Sequence, residues 1–166
     1  MPELIVNGEI INDDWHYCEK SESPDTQDIP AGKVVVPLTT WLAQSEQLSD
    51  RLPTDFGIWL DSDEEPEVLE NPQQFSVIAI NFPKFVDGRG YSAARILRDK
   101  MGYKGELRAI GDVLLDQLFY MKRCGFNAFA LRPDRSAQQA LKGLHVFNEV
   151  YQGATDQPLP LFRRRG

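Results

Sequence analysis

Cysteine and histidine are scarce in this chain, with two of each in 166 residues. Cys18 and Cys124 are far apart and form no CxxC unit, which excludes a self-contained iron–sulfur cluster, since that usually takes four thiolates. His16 and His145 have no ligand-spaced partner, so no metal site is expected. Cys124, at the end of an amphipathic run just before Gly125, reads as a packed small side chain. No serine or cysteine has an adjacent histidine base, which excludes a hydrolase of that kind. Long apolar runs are missing too. None approaches the roughly 20 residues of a membrane span, and the opening MPELIVNGEIINDDW lacks the charged start and apolar centre of a signal peptide. A soluble, cytoplasmic protein with no membrane partner is expected.

What is present suits a packed domain. Hydrophobic residues make up 42%, with nine Phe and three Trp, too many for disorder. Charge is divided unevenly. Residues 1–75 carry 17 acidic and 3 basic side chains, whereas residues 76–166 carry 8 acidic and 15 basic. Either the acids solvate the loops SESPDTQD and DSDEEPEVLENP, or the two halves present opposite poles that steer a charged partner. With a pI near 4.8 and no interleaved aromatic and basic face, nucleic acid is not an expected partner.

One α/β domain over 1–166 is expected, with a hairpin and linker in 1–32, a core in 33–152 and an extended tail in 153–166. Asn7-Gly8 between two short apolar runs is the pair favoured by a type I′ hairpin. Residues 19–32 are polar and contain proline, and read as a surface linker open to mobility. From residue 33, β-rich runs alternate with helical ones, the pattern of parallel strands with helical crossovers. Strands are expected at 33–38, 56–60, 77–82, 106–110 and 128–131, and helices at 39–48, 91–101, 112–124 and 136–151, with an irregular crossover near 66–69. The runs VVV and VIAI are continuous, as in strands covered on both faces. Gly102 and Gly125 stand where a left-handed residue ends a helix. In the last helix Ala137, Ala140 and Leu141 begin an apolar stripe. The expected architecture is a mostly parallel five-stranded sheet, or a partial βα-barrel, preceded by the hairpin. A complete eight-stranded barrel is not expected, since such barrels run to about 250 residues.

Ligands of α/β sheets sit at the carboxyl ends of the strands, which singles out the loop after 77–82. There Gly88 and Gly90 permit a sharp turn, and Tyr91 and Ser92 open a helix whose free amides favour an anion. Lys84 and Arg89 add positive charge, and Arg89 can grip an oxyanion with two donors. Asp87 either orients Arg89 or simply holds the loop in shape. Arg108, Arg132 and Arg135 are candidate supports, so a small oxyanion or a phosphorylated ligand is the expected guest. The run Gly88-Arg-Gly90-Tyr-Ser-Ala93 fits a loose GxGxxA pattern. Residues 83–87 separate it from the strand, however, and Glu106 begins rather than ends the next one. Neither flavin nor nicotinamide is therefore an expected cofactor. A homodimer is expected.

The block FPKFVDGRGYSAARILRDKMGYKGELRAIGDVLLDQLFYMKRCGFNAFAL resembles the centre of a bacterial family of unknown function. Its genes commonly lie beside that of sulfite reductase, and it is labelled an oxidoreductase of sulfite reduction. The resemblance implies a part in sulfur assimilation, with sulfite reductase as the partner. It implies no catalytic residue and leaves open whether the protein is an enzyme. An accessory, anion-binding protein is one form of that role; an oxidoreductase or electron carrier with a dissociable cofactor is the other. Residues Gly88, Gly90, Tyr91 and Ser92, followed by Gly111, Gln117 and Gly125, are also similar to two βα units of the cyclic-diguanylate phosphodiesterase barrel. That family's metal-binding carboxylates have no counterpart here, so this second likeness implies barrel-like geometry alone.

Overall fold

The computed structural model describes residues 3–51, 55–82, 88–113, 115–131 and 137–142. The chain opens with the expected hairpin, β1 (Glu3–Val6) and β2 (Glu9–Asn12). Asn7 and Gly8 take φ of 51° and 83°, the positive values a type I′ turn demands. Next come β3 (His16–Tyr17), β4 (Val34–Pro37), α1 (Leu38–Leu48), β5 (Phe56–Asp61) and β6 (Val77–Phe82). Then follow α2 (Gly88–Arg95), β7 (Glu106–Gly111), α3 (Leu118–Cys124), β8 (Ala128–Ala130) and a helical segment, α4, over residues 137–142.

All eight strands join one sheet in the order β2-β1-β8-β7-β6-β5-β4-β3. Strands β3 to β8 are mutually parallel, and only β1 and β2 run against their neighbours. Parallel neighbours in chain order, linked by right-handed crossovers, put every crossover on the same face. On that face Val36, Ile58, Ile80, Leu107 and Phe129 join the helices in the main core.

The other face is concave, and chain length requires it to be. Asn12 and His16 lie on strands at opposite edges of the sheet, yet only Asp13, Asp14 and Trp15 connect them. Four Cα steps span at most about 14 Å, whereas seven strand spacings laid flat would need roughly 34 Å. The sheet is therefore curled into a half-barrel. The expected five strands are corrected to eight, because pairing the hairpin with β8 and adding β3 needs no helical crossover. That economy also removes the length objection to an eight-stranded curl.

Local chemistry accounts for the connections. The β5–β6 crossover is two single 3₁₀ turns, each started by a proline, Pro66 and Pro72, whose fixed φ suits a first helical position. After α2 the helix widens into a π turn at Ile96–Lys100. There Arg98 donates from Nε to the Gly125 carbonyl at 2.8 Å, and from Nη1 to those of Tyr103 and Gly105 at 2.8 and 2.9 Å. Gly102 and Gly125 take φ of 67° and 118°, the left-handed endings expected of them. The 19–32 segment has no helix or strand of its own and is bonded by side chains of α1 and of the turn after it. Gln44, where α1 kinks, donates to the Pro24 and Gln27 carbonyls at 2.6 and 2.9 Å, and Arg51 donates to those of Pro30 and Gly32 at 2.7 and 3.1 Å. Ala137 and Ala140 are buried as the stripe requires; the expected helix beyond residue 142 and the 153–166 tail lie outside the described residues.

Candidate functional site

Because β3 to β8 are parallel, the segments after them share one rim. The first turn of α2 sits there against the last residue of β6: a Cβ placed on Gly90 would come within 2.7 Å of the Phe82 ring. Helix α2 begins at Gly88 and not, as expected, at Tyr91. The amides of its described first turn are those of Gly88, Arg89 and Gly90. Gly88, Arg89 and Ser92 are exposed. Tyr91 faces inward, 8% exposed, with its ring 5.1 Å from that of Phe82 and its hydroxyl donating to Gln117 Oε1 at 2.9 Å. Ser92 Oγ donates back to the Gly88 carbonyl at 3.4 Å. Gly90 and Tyr91 thus pack the helix onto the sheet, while Gly88, Arg89 and Ser92 face solvent. Lys84, Asp87, Arg132 and Arg135 lie outside the described residues.

A second cluster on this rim gathers at Asp61, in the segment after β5. Asp61 and Asn81, neighbours at the ends of β5 and β6, are joined by a 2.8 Å bond from Asn81 Nδ2 to Asp61 Oδ1. Lys20, from the strap after β3, reaches Asp61 Oδ2 at 2.6 Å and Glu64 at 3.7 Å, and lies 5.7 Å over the Trp59 ring. Its hydrogen bond to Asp61 raises the Lys20 ammonium above its ordinary value, with burial opposing. The Asp61 amide donates to Glu64 Oε1 at 2.8 Å, which turns the following acidic loop over the rim. The exposed carboxylates Asp63, Glu65, Glu67 and Glu70 follow on that loop.

The deepest charge is inside the curl. Arg108, 1% exposed, lies on the concave face of β7. Its Nε and Nη2 donate to Glu106 Oε2 at 2.6 and 2.5 Å, and its Nη1 donates to the Tyr17 hydroxyl at 2.6 Å. That hydroxyl donates onward to Asp13 Oδ2 at 2.8 Å, and Asp13 Oδ1 stands 3.6 Å from Arg108 Nη1. The rings of Trp15 and Tyr17 lie 5.6 and 6.0 Å from the guanidinium carbon. Arg108 therefore serves the interior rather than an oxyanion on the rim. Burial alone would lower its pKa, but the Tyr17 and Glu106 oxygens hold it above its usual value. Burial raises the Glu106 carboxyl, and Arg108 offsets this only in part. One signal for the cluster was legible: Glu106 and Arg108 alternate within a strand whose other positions are apolar or small, so both had to share a face.

Burial raises the phenols of Tyr17 and Tyr103 well above their ordinary value of 10.0. A group whose pKa is raised on folding adds stability below its unfolded pKa, and loses it as pH rises through the window up to the folded value. In an alkaline titration followed by phenolate absorbance, both rings are expected to ionise late, together with unfolding. Tyr17→Phe and Tyr103→Phe should each remove one late equivalent. Reversible ionisation of all five tyrosines near the ordinary value would show that neither ring is enclosed.

A family model described as a bacterial protein of unknown function, DUF934, matches residues 57–162. The chain belongs to this family. The DUF934 match begins inside β5, so it takes in Asp61, Asn81, Arg89 and Arg108, while Asp13, Tyr17 and Lys20 precede it. No curated protein and no solved structure matches the chain. Among the described residues no helix is long and apolar enough to cross a membrane.

Proposed function

We propose that this protein is a ligand-binding accessory of assimilatory sulfur metabolism that acts with sulfite reductase and takes a small oxyanion at the carboxyl rim of its curled sheet. The observation that carries this reading is the position of the α2 start. Gly90 seats it against Phe82 at the end of β6, with Arg89 exposed beside the first-turn amides. Amide dipoles and a guanidinium together favour an anion. The basic excess of residues 76–166 adds to the attraction. The exposed acids Asp63, Glu65, Glu67 and Glu70 suit docking to a basic face, and the sulfur assignment itself rests on the sequence resemblance of the central block.

Calorimetric titration of the full chain with sulfite, sulfate and phosphate tests the ligand. Binding is expected at low ionic strength, weakening on added salt, with Arg89→Ala lowering affinity about tenfold, as for loss of a charge-assisted contact. Co-sedimentation with sulfite reductase at low salt tests the partner. Failure to bind any of the three anions sinks the ligand reading. Uptake of a flavin or nicotinamide instead would replace it with an oxidoreductase.

A further inference from the structure

The curled sheet has a seam. Strand β2 pairs with β1 and β3 pairs with β4, and these two strands are the ends of the strand order. The Asp13–Asp14–Trp15 link crosses between the two edges. No ladder of backbone hydrogen bonds closes that gap among the described residues. What spans it is side-chain chemistry. Asp13 comes from the link, Tyr17 from one edge strand, and Arg108 from β7, which stands four strands away from β3 in the order. The bonds from Arg108 to Tyr17, at 2.6 Å, and from Tyr17 to Asp13, at 2.8 Å, therefore cross the concave interior. The Asp13 carboxylate also accepts the Trp15 amide at 3.2 Å, fixing the turn that carries the link over the gap. Outside lies the exposed pair Asp14–Lys33, at 3.1 Å.

The two sides of the seam are not equally anchored. On one side the edge strand β2 is mostly exposed but pairs with β1 over four positions, and β1 in turn buries Leu4 and Ile5 and pairs with β8 over three. On the other, β3 has two residues, with the His16 and Cys18 amides bonded to the Lys33 and Val35 carbonyls at 2.9 Å. A short edge strand held mainly by side chains is the part with the lowest cost of local opening.

We propose that the Asp13–Tyr17–Arg108 network is a latch and that β3, with its link, is the flap it holds. The sheet opens first at the β2–β3 seam, uncovering Arg108 and Glu106 without unfolding β5 to β7. This proposal is independent of the oxyanion reading, since none of the latch residues contacts the α2 start.

Native-state hydrogen exchange on the full chain, in increasing sub-denaturing urea, reads the opening. The bonded amides of His16 and Cys18 are expected to exchange at least tenfold faster than those of β5 to β7 at low urea. Their rate should show little urea dependence until global unfolding takes over. Tyr17→Phe should raise their low-urea rate a further tenfold or more, whereas Lys33→Ala, which removes only the outer pair, should not. Labelling of the Cys18 thiol, 6% exposed when β3 is seated, should accelerate in step. If the His16 and Cys18 amides exchange no faster than β5 to β7 at any urea concentration, or if Tyr17→Phe leaves their rate unchanged, the latch does not exist. Should Tyr17→Phe fail to fold, Asp13→Asn, which keeps the side-chain size, is judged by the same two criteria.

Discussion

Arg108→Ala is expected to destabilise the protein by about 3–5 kcal/mol, the usual range when one member of a buried ion pair is removed. The loss comes less from the bonds than from what stays behind. Glu106 and Asp13 would keep their carboxylates inside the curl with no cation, since Arg108 is the one basic side chain bonded to either of them among the described residues. A paired replacement, Arg108→Met with Glu106→Leu, should recover only part of the loss, because no orphaned charge remains on β7 while Asp13 still lacks its cation. Urea unfolding checks both, read as a fall in midpoint at unchanged slope. A loss below about 1 kcal/mol in the single variant would mean that the site is wet and the pair exposed.

Trp41→Ala is expected to cost about 3–5 kcal/mol by leaving a cavity under α1. Trp41 is 6% exposed and meets the Phe75 ring edge-on at a centroid distance of 4.9 Å, with Phe56 at 5.9 Å. These three aromatics fasten the first helix to the β5–β6 crossover, which has no helix longer than a single 3₁₀ turn of its own. Trp41→Phe should lose much less, and the same urea measurement distinguishes them. Equal, small losses for both would place Trp41 outside the packed core.

The parallel strands were legible because their local pattern is unambiguous. Each of β4 to β8 lies within about two residues of its expected span, since continuous apolar runs such as VIAI suit only a strand covered on both faces. Strand β3 was illegible for the opposite reason. His16 and Tyr17 are polar neighbours of an acidic link, and they become a strand only because β4 offers an edge beside them. The same limit governs the sites. That Gly90 packs on Phe82 depends on where α2 lands, not on the glycine pattern. Asp13, Tyr17 and Arg108 meet because the sheet curls, a fact no window of adjacent residues contains. Cys124, expected to be a packed small side chain, is fully buried.

The pairing of β1 with β8 carries a consequence for how the protein is made. The Asn7 amide bonds the Asn127 carbonyl at 2.8 Å, and Leu4 stands opposite Ala130. Strand β1 therefore leaves the ribosome long before β8 and waits, unpartnered on that side, until most of the fold has been synthesised. Such distant contacts form late and slowly. The two strands of the opening hairpin can pair at once through Asn7-Gly8, giving the waiting segment a transient partner and one less open edge for neighbouring nascent chains to join.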